Sequence, residues 1–125
     1  MPFVRIEIQA GKTGQYRRAL LHGVRRALVE ALGVPDERIM QRIAEYEPSD
    51  LDVPETKSDR LTLIEISMLP RDGAVKRDLY ERIVHSLALS PGVSADDVMI
   101  VVNEPHRECF GICGEVPEEP GPHSA

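Results

Sequence analysis

The chain has 125 residues, the size of one ordinary domain, and 42% of them are hydrophobic, which is enough for a single core. With no Trp and only two Phe, that core is expected to be aliphatic. The net charge of −6 has the wrong sign for a protein that binds nucleic acid through phosphate contacts. No apolar stretch approaches the roughly 20 residues that span a bilayer, and Arg5 and Glu7 interrupt the region where a signal peptide is apolar. We therefore expect a cytoplasmic protein that binds neither nucleic acid nor membranes.

The cysteines, Cys109 and Cys113, do not have the Cys-x-x-Cys spacing of redox sites. No matching Cys/His pair elsewhere completes a zinc set. We expect free thiols, no metal site and no cofactor.

A proline follows Met1 directly, ahead of a predicted strand over residues 3–8. The strand alternates between two faces, with Val4, Ile6 and Ile8 against Phe3, Arg5 and Glu7. Methionine aminopeptidases generally remove Met before a small second residue, which would leave Pro2 with a free secondary amine. An α-amino group has a reference pKa of roughly 8 that burial or nearby cations lower. Because a base near neutral pH suits proton transfer, Pro2 is the first candidate catalytic residue.

The first helix is predicted from Thr13, as its cap, to about Leu32, with Gly33 as the residue that ends it. Its inward positions recur at helical spacing: Tyr16, Leu20, Gly23, Val24, Ala27 and Ala31. A second strand is predicted over residues 38–46, followed by a polar loop over residues 47–60. A strand, helix and strand of these lengths predict a right-handed parallel crossover.

The same pattern then starts again. A strand over residues 61–68 precedes a helix capped by Asp72 and running from Gly73 to about Ser90, and a fourth strand covers residues 97–103. A constant offset aligns the halves without a gap, pairing Gly14 with Gly73, Leu20 with Leu79, Gly33 with Gly92 and Met40 with Met99. Two β-α-β repeats, about 2–46 and 61–103, predict an α+β fold: a four-stranded mixed sheet with two helices on one face.

No predicted element covers the other face of that sheet. Phe3, Leu61 and Leu63 point toward it, and the fourth strand is apolar on both sides. We expect a symmetric oligomer to bury this face. The domain is expected to span residues 1–115, with a flexible tail over 116–125.

Five short segments carry a resemblance to a known family. They are Pro2 at the N-terminus, Gly11-Lys12-Thr13, Gly33-Val34-Pro35, Pro70-Arg71-Asp72 and Phe110-Gly111-Ile112. Together with the duplicated unit, they resemble the tautomerase superfamily over residues 2 to about 115. The nearest likeness is to two-repeat members such as malonate semialdehyde decarboxylase and cis-3-chloroacrylic acid dehalogenase. The resemblance implies a homotrimer, a catalytic N-terminal proline and arginines that bind a substrate carboxylate.

The resemblance also assigns individual roles. Pro2 matches the catalytic proline, and Arg71 matches the second-repeat arginine at the helix entry, where a guanidinium suits bidentate carboxylate binding. Glu37 lies nearest the family's acidic residue after the first helix, and Phe110 stands where a substrate-site Trp is frequent. The decarboxylases carry a second arginine two positions before the first, where this chain has Leu69.

Several of these side chains have simpler explanations. Arg71 is also explained as a solvated loop arginine, and Glu37 as a loop charge. Some family members carry a histidine on the first helix at the position of Arg25, and His22 lies about one turn away. It is better explained as a surface or helix-packing histidine than as a general acid. Lys12 is the first-repeat counterpart of Arg71, in a copy of the site that two-repeat members often leave unused.

Three functions fit this pattern. The first is a cofactor-free tautomerase, in which neutral Pro2 moves a proton between carbon and oxygen of a small 2-oxo or enol acid held by Arg71. The alternative enzyme is a decarboxylase, hydratase or dehalogenase of a three-carbon acid such as malonate semialdehyde, with Pro2 as a cation. The third is a non-enzymatic trimeric module that binds a small molecule, because fold alone does not separate these functions.

Overall fold

The computed structural model describes residues 2–118, which form one mixed sheet with two helices. Residues 119–125 of the predicted tail lie outside the described part of the chain. The elements in chain order are β1 (Phe3–Gln9), α1 (Gly14–Leu32), β2 (Met40–Tyr46), β3 (Thr62–Ser67), α2 (Gly73–Leu89) and β4 (Val98–Asn103). Among the described residues, no helix has the length and apolar character needed to cross a membrane.

The four strands are ordered β2-β1-β3-β4 across the sheet. β1 pairs in parallel with β2, and β3 pairs in parallel with β4, while β1 and β3 pair antiparallel in the centre. Each parallel pair is the product of one strand-helix-strand unit. The predicted duplication and the predicted mixed sheet are therefore confirmed.

α1 begins and ends close to the predicted residues because both caps form as expected. The Thr13 side chain accepts the backbone N–H of Tyr16 at 3.1 Å, and Gly33 has the left-handed backbone (φ 68°) of a helix stop. The helix also buries Leu28 and Leu32, which were not among the predicted inward positions, whereas Ala31, which was, is only half-buried.

One predicted boundary and one predicted cap are wrong. β2 begins at Met40 instead of residue 38, because Asp36–Arg38 forms a 3-10 turn. α2 begins at Gly73 as predicted and ends at Leu89, next to its predicted end, but Asp72 occupies the N-cap position without a side-chain hydrogen bond to the helix. The turn before α2 is instead held by a different carboxylate, as described below.

The core lies between the helices and one face of the sheet, and it is aliphatic as predicted. Gly23 of α1 permits close helix packing, since a Cβ there would lie 2.9 Å from Cδ2 of Leu87 on α2. The largest fully buried side chains are Ile6, Ile8, Leu20, Leu28, Leu32, Ile64, Ile66, Leu79, Ile83 and Leu87. Burying each of these is worth roughly 1.5–3 kcal/mol relative to leaving it in water.

The second face of the sheet, which we call the open face, has no helix over it. Met99 and Val101 of β4 are 51% and 54% exposed there. In the register of the sheet, Arg5 lies between Arg42 and Glu65. The expectation that Leu61 belongs to this uncovered surface is wrong, because Leu61 is only 4% exposed and is already buried within the chain.

The polar linker between the repeats is attached to the start of β4 by a buried carboxylate. Asp97 accepts hydrogen bonds from the backbone N–H of Ser58, at 2.9 Å, and from its hydroxyl group. Asp97 is 6% exposed. The hydrogen bonds from Ser58 hold the pKa of Asp97 below its usual value, so the carboxylate stays ionised where it anchors the linker.

Ser58→Ala tests this anchor. A carboxyl group whose pKa is lower in the folded chain adds stability above its unfolded pKa, and that stability is lost as the pH falls through the folded pKa. We expect the free energy of unfolding to drop by about 1 kcal/mol at pH 7, and the difference from the native chain to shrink below about pH 4. Urea unfolding at pH 7 and pH 3 measures both values. Ser49→Ala, on the exposed part of the same linker, is the control, and equal stability of the Ser58 and Ser49 variants at pH 7 would contradict the anchor.

Candidate active site

A cleft of about 840 Å³ opens beside the N-terminus, where β1 and β2 begin and where β3 and α1 end. Residues 111–118 form one of its sides. Its apolar lining includes Pro2, Phe3, Leu32, Val34, Met40, Met68, Leu69, Ile112 and Val116. Its charged lining residues are Glu37, Arg38, Arg71, Glu115 and Glu118.

Pro2 is buried in the wall of this cleft. Its carbonyl accepts the backbone N–H of Met40 at 3.1 Å, so the pairing of β1 with β2 continues to the proline. This hydrogen bond to the sheet therefore fixes the position of the proline ring.

Arg71 lines the same cleft from the turn that precedes α2. Its guanidinium Nη1 donates to the carbonyl of Leu32, the last residue of α1, at 3.0 Å. Burial lowers the pKa of Arg71, but a guanidinium titrates so far above neutrality that it remains charged. The site thus contains a half-buried cation held at the C-terminal end of a helix.

Glu104, just after β4, holds the turn that carries Arg71. Its Oε2 accepts a hydrogen bond from the backbone N–H of Arg71 at 2.7 Å. Its Oε1 accepts one from Nζ of Lys76 at 2.6 Å. Burial acts to raise the pKa of Glu104, but the hydrogen bonds from Lys76 and from the Arg71 backbone outweigh it, and the pKa is lowered overall. The carboxylate therefore stays ionised and fixes the position of Arg71.

The sequence interpretation missed Glu104, although the repeat contains a signal for it. The offset that aligns the two halves places Glu104 on Glu45 and Lys76 on Arg17. Arg17 and Glu45 also form an ion pair, at 3.6 Å. A pair that recurs in both repeats indicates a structural role that the second repeat uses to position Arg71.

Glu37 and Arg38 lie at the exposed rim of the cleft, on the 3-10 turn before β2. The structure thus brings Pro2, Arg71 and Glu37 into one site, and it adds Arg38, which the sequence interpretation missed. The turn is attached to α1 by Arg25, whose Nη1 donates to the backbone carbonyl of Asp36 at 2.7 Å.

Phe110 lies behind the wall of the cleft and does not line it. It is 6% exposed and stacks on Phe3, with 6.3 Å between ring centroids and 21° between ring planes. The residues that follow it, Gly111 and Ile112, line the cleft instead. Phe110 therefore supports Phe3 beside Pro2, and its contact with substrate stays a prediction.

The remaining candidates lie elsewhere or carry no metal chemistry. His22 is exposed on α1 and is not part of the cleft lining. Cys109 and Cys113 are free thiols, as predicted, and Cys113 lines the cleft. Within residues 2–118, no group of three His, Cys, Asp or Glu side chains is placed to hold a metal ion.

The repeat-related copy of the site is occupied by the chain itself. Leu61, which aligns with Pro2, is buried, and Nζ of Lys12, which aligns with Arg71, donates to the carbonyl of Asp59 at 2.8 Å.

Arg60 completes the closure of this second copy. Its Nη1 donates to the carbonyls of Gly92 and Pro91, at 2.9 and 3.3 Å, and Pro91 aligns with the Leu32 that Arg71 contacts. The linker arginine therefore contacts the end of α2 much as Arg71 contacts the end of α1.

The described residues thus combine a duplicated β-α-β sheet with a cleft at the start of β1, and the class of the protein follows from comparison with known families. Two family models, both described as tautomerase enzyme, match residues 38–113 and residues 2–60. The chain belongs to the tautomerase family, as the sequence resemblance predicted.

Individual proteins show the same relationship. The probable tautomerase YusQ of Bacillus subtilis (strain 168) is 28% identical over 121 residues, which span 89% of this chain and 94% of that protein. A crystal structure of malonate semialdehyde decarboxylase has a TM-score of 0.81 at 23% identity, covering 86% of this chain and 88% of that one. The Q0 fused 4-OT wild-type symmetric trimer has a TM-score of 0.77 at 21% identity, covering 88% and 90%. At these identities the two structures establish the fold.

Proposed function

We propose that this protein is a cofactor-free tautomerase that interconverts the keto and enol forms of a small 2-oxo carboxylic acid. The observation that carries the proposal is the burial of Pro2 in the wall of the cleft that Arg71 also lines. In this proposal Pro2 is the general base, and Arg71 binds the carboxylate of the substrate.

The proposed reaction requires the free amine of Pro2 in its neutral form. We expect this form from two effects: burial disfavours a cation, and a guanidinium that lines the same cleft disfavours it further. The neutral amine accepts a proton from the carbon next to the carbonyl group, and the electron pair moves to the carbonyl oxygen. The protonated amine then returns the proton to that oxygen, directly or through a water molecule, which gives the enol and regenerates the neutral amine.

Arg71 supplies orientation in this scheme. A guanidinium carries several donors in one plane and binds a carboxylate through two parallel hydrogen bonds. Glu104 accepts a hydrogen bond from the Arg71 backbone, and the carbonyl of Leu32 accepts one from its guanidinium. Because Arg71 is ordered in this way before substrate binds, binding costs less conformational entropy.

The runner-up function is decarboxylation of a three-carbon 3-oxo acid. It is favoured by the likeness in fold to malonate semialdehyde decarboxylase and by the position of Glu37 on the rim of the cleft. Such chemistry needs Pro2 as a cation, which the apolar surroundings of Pro2 disfavour. We therefore rank it below tautomerisation.

The first test removes the proposed carboxylate anchor. Arg71→Ala should lower kcat/KM for the enol of phenylpyruvate by about 10- to 100-fold, mainly through a higher KM, because it deletes a charge-assisted contact present in ground and transition states. Lys12→Ala, at the repeat-related position, should leave kcat/KM unchanged. Ultraviolet absorbance follows the ketonisation directly. Equal kinetic constants for both variants would remove Arg71 from the site.

The second test concerns the nitrogen of Pro2. While Met1 is attached, this nitrogen is an amide without a basic lone pair or an N–H group, and it cannot act as a base. We expect intact-mass spectrometry of untagged protein to show loss of Met1, and only that form to ketonise the enol. The form that retains Met1 should be folded and inactive. Equal turnover by both forms would contradict the enzyme proposal, and tight metabolite binding without turnover would favour a binding module.

We further propose that the chain assembles as a homotrimer through its open face. The similar fused 4-OT protein is a symmetric trimer. On the open face Arg5 lies opposite Arg42 on one side and opposite Glu65 on the other, so a single carboxylate faces two arginines in this row of the sheet. In the proposed trimer, Glu65 of a second copy approaches Arg42 and balances that row. Met99 and Val101, exposed on the same face, are the apolar surface that the contact buries.

Charge reversal tests this assembly. Glu65→Lys should shift the protein from trimer to monomer at micromolar concentration, because it replaces attraction to the arginines by repulsion. Multi-angle light scattering measures the mass. Glu81→Lys, on the exposed side of α2, is a control with the same change in charge. A native chain that is monomeric, or a Glu65→Lys variant as trimeric as the control, would contradict the interface.

A further inference from the structure

We propose that Glu104 is a positioning residue for the reaction, that it acts on the substrate through Arg71, and that this role is separate from its ion pair with Lys76. This inference rests on the proposed tautomerase function and adds to it a residue that is not part of the cleft lining. A residue in that place acts on the substrate through a side chain that does line the cleft.

The sheet brings Glu104 to the turn that carries Arg71. Ser67 and Asn103, the last residues of the parallel strands β3 and β4, lie opposite each other. The backbone N–H of Met68 then donates to the carbonyl of Asn103 at 3.0 Å, so the pairing continues just past β3. Glu104 is the first residue after β4. Its backbone is therefore fixed by the sheet, and a side chain that starts from a strand is placed more precisely than one on a free loop.

The two carboxylate oxygens of Glu104 have different partners. Oε2 accepts a hydrogen bond from the backbone N–H of Arg71 at 2.7 Å, and Oε1 accepts one from Nζ of Lys76 at 2.6 Å. Hydrogen bonds to an ionised acceptor are stronger than those between neutral groups. The first contact fixes the turn before α2, and the second connects the carboxylate to the helix itself. Removing one contact therefore does not require the loss of the other.

The guanidinium of Arg71 depends on the contact with Oε2 for its position. Its Nη1 donates to the carbonyl of Leu32 at 3.0 Å, so the residue is held by α1 at its tip and by Glu104 at its backbone. Paired hydrogen bonds to a substrate carboxylate require the right distance and direction, and a shift of about 1 Å in a positioned group can cost up to a hundredfold in rate. Without Glu104 the cation keeps its charge and loses part of its orientation.

The first repeat provides a matched comparison. Glu45 aligns with Glu104, and it forms an ion pair with Arg17 at 3.6 Å. Arg17 also donates from Nη1 to the backbone carbonyl of Lys12, the counterpart of Arg71, at 2.7 Å. The contact with the turn is therefore made by the basic partner in the first repeat and by the carboxylate in the second. Glu45 is thus a control carboxylate that has the ion pair and lies away from the cleft lining.

Glu104→Ala tests the positioning role in protein that lacks Met1, with the enol of phenylpyruvate as substrate. We expect KM to rise about tenfold while kcat changes less than about twofold, because substrate binding is weakened and Pro2 is untouched. Glu104→Gln keeps an oxygen that accepts the Arg71 N–H and should recover most of the loss in KM. Glu45→Ala removes the corresponding ion pair and should leave KM unchanged. Equal KM values for Glu104→Ala and Glu45→Ala would overturn the inference.

Lys76→Met separates the two oxygens and does not depend on the folding of a Glu104 variant. It removes the ion pair and leaves Oε2 with Arg71, so we expect a lower midpoint of urea unfolding and a KM within about twofold of the native value. A tenfold rise in KM for Lys76→Met would show that Glu104 acts through general stability, and would overturn the separate role.

A double variant tests whether Glu104 acts through Arg71. In protein that already carries Arg71→Ala, Glu104→Ala should raise KM no further, because there is no guanidinium left to position. A second tenfold rise would overturn the inference. Absence of turnover by the native protein lacking Met1 would instead contradict the proposed function itself.

Discussion

The antiparallel pairing of β1 with β3 is the constraint on which the site depends. Its register sets Phe3 opposite Ser67, so the N-terminus lies beside the chain as it leaves β3. That chain carries Leu69 and Arg71 within a few residues, while the parallel partner β2 begins on the other side of β1. Pro2 therefore reaches the cleft without any long loop. A slip of the register by one residue would send Val4, Ile6 and Ile8 to the wrong face and dismantle core and site together.

The same geometry exists at the other end of the sheet, and there the linker occupies it. At that end Leu61 is buried where its counterpart Pro2 lines the cleft. The linker residues just before it are held there by Lys12, which donates to the carbonyl of Asp59. Arg60 then satisfies the carbonyls at the end of α2, where Arg71 satisfies the end of α1. The contacts of the linker are therefore what distinguishes this end of the sheet from the end that carries the cleft.

Local patterns predicted the parts of this molecule that local forces decide. The alternation in β1, the Thr13 cap and the Gly33 stop are short-range features, and each appears where it was expected. The burial of Leu61 depends on how a linker packs, and the placement of Glu104 depends on the register of β4, so neither can be derived from its neighbours in sequence. The position of Arg38 in the cleft lining likewise depends on how the turn before β2 packs, and it cannot be derived from neighbouring residues in the sequence. The sequence does contain one signal for Glu104: aligning the two halves places the pair Lys76 and Glu104 on the pair Arg17 and Glu45.

The position of Arg71 limits how strongly the cleft can bind any anion. The C-terminal end of a helix carries a partial negative charge, and the carbonyl of Leu32 already accepts one of the guanidinium donors. A substrate carboxylate must therefore approach a cation whose field is partly cancelled by α1 and by the carboxylates at the rim. Affinity from charge alone is modest under these conditions, while orientation by paired hydrogen bonds is retained. For the proposed reaction, the free energy of binding then comes mostly from apolar contact, which the wall formed by Phe3, Met68 and Leu69 offers beside Pro2.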